Sequence, residues 1–116
     1  MKYLFILNDP PYGTERSYNG LRLANALAKT EGNAVSVFLI GDAASCAASG
    51  QVTLNGYYNI ERMLKVLATK GGTIGVCGSC MDARGLKAEA LAECAHLSSM
   101  DELASWTQEA DKVIAF

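Results

Sequence analysis

Four cysteines occur in the chain, and two of them stand three residues apart in Cys77-Gly78-Ser79-Cys80, which runs on into Met81-Asp82-Ala83-Arg84-Gly85. Thr73-Ile74-Gly75-Val76 just before them is an apolar run with strand character, so Cys77 would be presented at the end of a rigid element. In an open parallel sheet that is the edge where ligands bind. Backbone N–H groups of the following turn and the guanidinium of Arg84 would stabilise a thiolate there, which makes Cys77 a candidate nucleophile. Cys80 is spaced to resolve a mixed disulfide, to accept sulfur in a second step, or to do neither. The plainer reading is that Cys77 is a small hydrophobe closing a strand. A second thiol, an arginine in the same loop and the carboxyl-edge position together weigh against that reading.

The same pair could begin a metal site, because structural zinc is usually held by two close pairs of Cys or His. Only Cys94-Ala95-His96 offers a second pair, and its one-residue gap is tighter than such knuckles use. No metal and no cofactor are assigned. His96 has no Ser or carboxylate partner at a recognisable spacing and reads as structural. Cys46 and Cys94, in alanine-rich stretches of helical character, read as packing residues.

A second distinctive loop, Asn8-Asp9-Pro10-Pro11-Tyr12-Gly13-Thr14-Glu15, leaves the first strand at the same edge of the sheet. It has a single glycine and no Gly-Lys-Ser/Thr, so it is not a phosphate cradle of the usual kinds. Tyr12 either lines the pocket or belongs to a proline-stiffened turn capped at Thr14.

Four nearly continuous apolar segments must position these loops: Lys2 to Asn8, Ala34 to Ile40, Thr73 to Cys77, and Lys112 to Phe116, read as strands buried on both faces. Helical spacing between them predicts a first helix from about Thr14 to Thr30 with Leu23 and Leu27 inward. A short alanine-rich helix follows Asp42, and Gly50 to Gly56 reads as a surface loop. A helix with the stripe Ile60, Met63, Leu64 and Leu67 closes at Lys70-Gly71-Gly72. Ser99 and Glu102 form a capping-box signature ahead of a last helix, and a short strand is expected around His96 to Ser98. The alternation predicts an α/β fold, three layers α/β/α around a mostly parallel sheet of about five strands, in a single domain over residues 1–116.

Composition narrows the function classes. Half of the 116 residues are hydrophobic and 19% are charged, which predicts a packed core rather than disorder. A net charge of −2 and a pI near 5.3 give no overall basic field, so direct nucleic-acid binding is not expected. No apolar run approaches the roughly 20 residues of a bilayer span, so no membrane partner is expected either. Asn8-Asp9-Pro10-Pro11 cuts the first apolar run short of a signal peptide, and a free thiol pair suits a reducing cytoplasm. The acids outnumber the bases strongly between Lys87 and Lys112, which predicts an acidic surface there. A mean hydropathy of +0.12 in so short a chain hints at surface covered by further subunits.

With these segments in hand, the chain resembles the DsrE/DsrF-like sulfur-relay family, most nearly its YchN-like branch. The carriers are Pro11-Tyr12-Gly13, Leu21-Arg22-Leu23-Ala24, Gly50-Gln51, Gly56-Tyr57-Tyr58-Asn59-Ile60, the segment from Cys77 to Gly85, and Trp106 to Val113. The resemblance implies homotrimers or homohexamers, and a cysteine at the end of this strand that carries sulfur as a persulfide between a donor and an acceptor protein; Cys77 matches it. Arg84 and Gly85 match the basic residue and glycine that follow. Tyr12, Gly13 and Tyr58, with Gly85, would border the substrate. Several relay members carry only the first cysteine, whereas this chain has Cys80 as well.

The leading expectation is therefore a small sulfurtransferase-like carrier. Two others compete with it. The Cys77/Cys80 spacing suits dithiol–disulfide exchange, although Gly78, Ser79 and Gly85 predict a loop where thioredoxin-like domains open a helix. A non-catalytic small-ligand or assembly module would leave the Cys77 thiol with ordinary reactivity.

Overall fold

The computed structural model describes residues 1–116. Five strands form one sheet: β1 (Lys2–Leu7), β2 (Ala34–Leu39), β3 (Thr73–Cys77), β4 (Ala95–Ser98) and β5 (Lys112–Ala115). Their order is β4-β3-β2-β1-β5, and every adjacent pair is parallel. The first and last strands are neighbours, so both ends of the chain are tied into the same sheet.

Four α-helices complete it: α1 (Arg16–Ala28), α2 (Ile60–Thr69), the short α3 (Gly78–Ala83) and α4 (Met100–Glu109), with a 3-10 helix over Gly41–Ala47. Alternation along the strands sorts the core onto two faces. Phe5, Leu7, Val37, Leu39, Ile74 and Val76 point to one face and pack under α1, α2 and the 3-10 helix. Leu4, Phe38 and Cys77 point to the other and meet Leu103. That second face is covered by α4, and Ile6 and Ile40 are left half-buried on it.

Three details differ from the sequence reading. In α1 the inward stripe is Ser17, Gly20, Leu21 and Ala24, while Leu23 is exposed. Small residues at 17, 20 and 24 let the helix lie close on β1, and that close approach, more than side-chain hydrophobicity, selects the face. Strands β4 and β5 are edge strands with largely exposed side chains, so burial on both faces holds only for the three central strands. Cys94 lies in the connection before β4, outside any helix.

The capping box is half realised. Ser99 accepts from the Glu102 N–H, but the Glu102 carboxylate turns to His96 Nε2 and Ser98 Oγ, each 2.5 Å away. His96 therefore does have a carboxylate partner, on a helix that follows it in sequence and folds back over β4. Together with the Ser98 hydroxyl, this pair holds Glu102 below the usual carboxylate range.

Candidate functional site

Cys77 ends β3 and α3 opens at the next residue, so the loop expected there is a helical turn. Gly78 and Ser79 are poor helix formers, but Met81 is buried and anchors the turn, and tertiary packing outweighs local propensity. Glycine at 78 lets the turn lie close on β4, where a Cβ would stand a tight 3.2 Å from both a Leu97 methyl and the Ser98 carbonyl.

The Cys77 side chain is recessed, 4% exposed, among Leu4, Phe38 and Leu103. Its Sγ lies 3.3 Å from Ser79 Oγ. Burial alone would push this thiol up. Hydrogen bonds from the Cys80 thiol and the Ser79 hydroxyl, aided by the backbone N–H groups of residues 80 and 79, outweigh burial and hold it below the ordinary thiol value. Cys80 shifts the other way: burial and its role as donor to Cys77 raise it, against an opposing N–H from Gly41. The Gly41 N–H approaches Cys80 Sγ at 3.1 Å, from a backbone with φ +60° that glycine adopts without strain. The two thiols are thus shifted in opposite directions, Cys77 down and Cys80 up.

Arg84 reaches Cys80 rather than Cys77. Its guanidinium grips Asp42 Oδ1 at 3.0 and 2.8 Å and the Cys80 carbonyl at 3.0 Å, and its charge acts on the Cys80 thiol. Its geometric effect is to clamp α3 to the 3-10 helix. Gly85 is exposed just beyond the C-cap of α3.

The structure does not bring Tyr12 and Tyr58 to Cys77. Both pack against the α1/α2 core, on the other face of the sheet from the Cys77 side chain. Tyr12 donates to Gln51 Oε1 at 2.6 Å and accepts from the Ile60 N–H at 3.1 Å, so it ties the first loop to the start of α2. Gly13 sits beside it in an exposed turn. Tyr58 stacks between Tyr57 and Tyr18. Only Cys80 touches both cores.

Sequence reasoning passed over Glu61, a buried carboxylate that accepts from the Gln51 N–H at 2.9 Å and pairs with Lys65 at 3.3 Å. Burial pushes its pKa up, but the Gln51 and Gly50 N–H groups and Lys65 outweigh that and hold it below the usual carboxylate range. Replacing it with alanine should cost about 1–3 kcal/mol in urea denaturation at neutral pH, because a loop N–H loses its acceptor. With the folded pKa depressed, its contribution is present above the unfolded carboxyl pKa and is lost as pH falls through the folded value. The Glu61→Ala variant should therefore lose less stability than the wild type over that acid window.

The remaining cysteines are placed for packing. Burial pushes the Cys46 thiol up to about 12, and burial raises Cys94 as well. Cys94 packs on the α2 side of the sheet and His96 against Trp106 on the other, and no group of three or more His, Cys, Asp or Glu side chains is arranged to hold a metal ion. No helix is long and apolar enough to cross a membrane.

Comparison with known proteins adds to this geometry. The model of the DsrE/DsrF-like family matches residues 1–116. Protein YchN of Escherichia coli is 38% identical over 116 residues, covering 99% of this chain and 98% of its own. A Methanocaldococcus jannaschii protein is also 38% identical, with both chains covered completely. The crystal structure of the Escherichia coli YchN protein superposes with a TM-score of 0.89 at 34% identity, covering 100% of this chain and 99% of that one. A Methanobacterium thermoautotrophicum protein of unknown function shares the fold at a TM-score of 0.77 and 14% identity, covering 99% and 98% of the two chains.

Proposed function

This chain belongs to the DsrE/DsrF-like family, and from that membership together with the unequal thiol pair we propose that it is a sulfur carrier in which Cys77 holds a persulfide. The observation that carries the proposal is the placement of Cys77 at the end of a buried strand, its Sγ 3.3 Å from the Ser79 hydroxyl and a second thiol, Cys80, in the helical turn that follows. The Cys77 thiolate attacks the outer sulfur of a donor persulfide. A new S–S bond forms to Cys77, the donor's S–S bond breaks, and the donor leaves as a thiolate, with no net oxidation. An acceptor nucleophile then takes the outer sulfur and returns Cys77 to the thiolate. A persulfide is more acidic than a thiol, so the same hydrogen-bond donors serve the loaded state.

Because Cys77 is recessed, a donor protein must present its persulfide on an extended segment, or a small persulfide must carry the sulfur in. Mass spectrometry of the intact chain after exposure to a cysteine desulfurase and cysteine tests the proposal. Loading appears as a reducible gain of about 32 Da per sulfur.

One observation favours a second reading. Since α3 begins directly after Cys77, the absence of a helix at the motif no longer counts against dithiol–disulfide exchange, in which Cys80 would attack a mixed disulfide on Cys77. An oxidised chain holding a Cys77–Cys80 disulfide, with turnover in insulin reduction and no sulfur gain, would select it.

The carrier is further proposed to act in the cytoplasm as a homotrimer or homohexamer. Leu97, Met100 and Val113 on the edge strands and α4, and Val52 and Leu54 in the loop before α2, are all more than two-fifths exposed, apolar side chains that further subunits would cover. Light scattering after size exclusion should give three or six times the 12.3 kDa chain mass; a monomer at micromolar concentration would refute the assembly.

A further inference from the structure

On the solvent side of α1 and α2 lies a groove of about 600 Å³, lined among others by Tyr18, Arg22, Lys29, Tyr57, Arg62 and Lys70. It contains four cations and no carboxylate, in a chain whose net charge is −2. None of the four forms an ion pair, since the protein's ion pairs use Arg16, Lys65, Arg84 and His96; their only side-chain hydrogen bonds are to neutral oxygens, Arg22 to Asn19 Oδ1 at 3.1 Å and Lys70 to the Asn25 carbonyl at 3.4 Å. At one end three rings form a row, Tyr57 on Tyr58 at 4.6 Å and Tyr58 on Tyr18 at 4.1 Å, and the Arg22 guanidinium continues it 5.4 Å above Tyr18. Tyr57 is 52% exposed, leaving ring surface open at the head of the row. Beneath the groove, Asn25 Oδ1 is the protein's one buried side-chain polar atom without a hydrogen-bond partner.

A solvated helix surface accounts for part of this. Lys29 and Lys70 are the C-cap residues of α1 and α2, where the helix dipole favours positive charge. It does not account for unpaired Arg22 and Arg62 within the helices, nor for a stacked tyrosine row ending in solvent. From these features we infer that the α1/α2 groove binds a nucleoside di- or triphosphate, its base stacked on the tyrosine row and its phosphates held by Arg22, Arg62, Lys29 and Lys70.

The dimensions agree. Tyr18 to Lys29 spans about 16 Å of helix at the usual rise, which suits an elongated ligand that is flat at one end and anionic at the other. The volume falls within the roughly 300–1,000 Å³ common for small-molecule sites. Stacking tolerates any base, and guanidinium groups hold phosphate oxygens in pairs. No glycine-rich loop takes part, which is why no phosphate motif marks the site in the sequence. The groove lies over the α1/α2 core, across the sheet from the Cys77 side chain, so the inference stands independently of sulfur transfer.

Calorimetric titration with ATP, GTP, CTP and UTP tests it, with adenosine and inorganic triphosphate as half-ligands and a single-stranded oligouridylate as a polymer control. At least one nucleotide should bind saturably, on the order of tenfold or more tighter than either half-ligand. Arg22→Gln combined with Arg62→Gln should weaken it by a similar factor, and Tyr57→Ala should reduce it to the level of triphosphate. These side chains are exposed, and unchanged thermal unfolding of each variant would show that the fold is kept; Lys70→Gln gives a milder charge loss. Absence of saturable nucleotide binding at millimolar concentration overturns the inference. So does triphosphate binding as tightly as the nucleotide, affinity unchanged in the double variant, or binding of the oligonucleotide alone.

Discussion

Cys77→Ser should abolish sulfur loading, and Cys80→Ser should leave some of it. The first half follows from chemistry, because a serine hydroxyl cannot attack a persulfide at neutral pH and neither Cys46 nor Cys94 stands at the end of β3 to replace Cys77. Cys46 has its thiol pushed up to about 12, and Cys94 is raised by burial. The second half follows from the polar partners of the Cys77 sulfur: a serine at position 80 keeps a hydroxyl beside Ser79, whereas Cys80→Ala removes the polar side chain that lowers the Cys77 thiol. Alkylation rates measured against pH should therefore place the Cys77 midpoint below the ordinary thiol range of about 8.5 in the wild type and move it up in Cys80→Ala. Cys80 should also set the lifetime of the loaded state. Its attack on the inner sulfur of the Cys77 persulfide would form a Cys77–Cys80 disulfide and release hydrogen sulfide, so Cys80→Ser should retain its sulfur longer. Equal loading of wild type and Cys77→Ser would remove the basis for a carrier, and an ordinary Cys77 midpoint would favour a binding module with incidental cysteines.

The largest loss of stability near the site is expected from Phe38→Ala. Phe38 is fully buried near the C-terminal end of β2, packs with Leu4, Cys77 and Leu103, and meets the Trp106 ring edge-on at 6.3 Å. Truncating a buried phenylalanine costs about 3–5 kcal/mol, transfer and cavity terms together, against a total of about 5–15 kcal/mol for a domain. The face involved is covered by α4 alone, which has few other contacts through which to close the gap. Chemical denaturation should show the loss, and alkylation of Cys77 should become faster as the cavity opens beside its sulfur. A cost below about 1 kcal/mol would mean that α4 collapses onto the sheet and that Phe38 does not shape the thiol's pocket.

The fold was largely readable because its elements are strongly patterned. The runs around Phe5, Phe38 and Ile74 are apolar and β-branched, and the Ile60, Leu64 and Leu67 stripe is unmistakably helical, so the alternation of strand and helix and the parallel sheet followed. Reading failed where packing overrode local preference. Gly78 and Ser79 argue against a helix, yet one forms there because Met81 is buried and α3 is clamped through Arg84 to Asp42. In α1 the leucine at 23 looked inward, but close approach to β1 selected the small residues instead. His96 looked isolated since its partner Glu102 reaches it only when α4 folds back over β4.

The sequence by itself determined the order of elements, the family, and Cys77 as the residue at a strand's end, since these depend on periodicity and on motifs contiguous along the chain. Only the tertiary structure decided which residues share a face. It put Cys77 with Cys80 and Ser79, turned Arg84 toward Cys80 and Asp42, and sent Tyr12 across the sheet to the start of α2 and Tyr58 to the cationic groove. The physical reason is that side chains alternate across a strand and helices pack on either face. Residues that stand together in a family pattern, or at one edge of a sheet, are therefore divided between two cores by sheet geometry that no local spacing encodes.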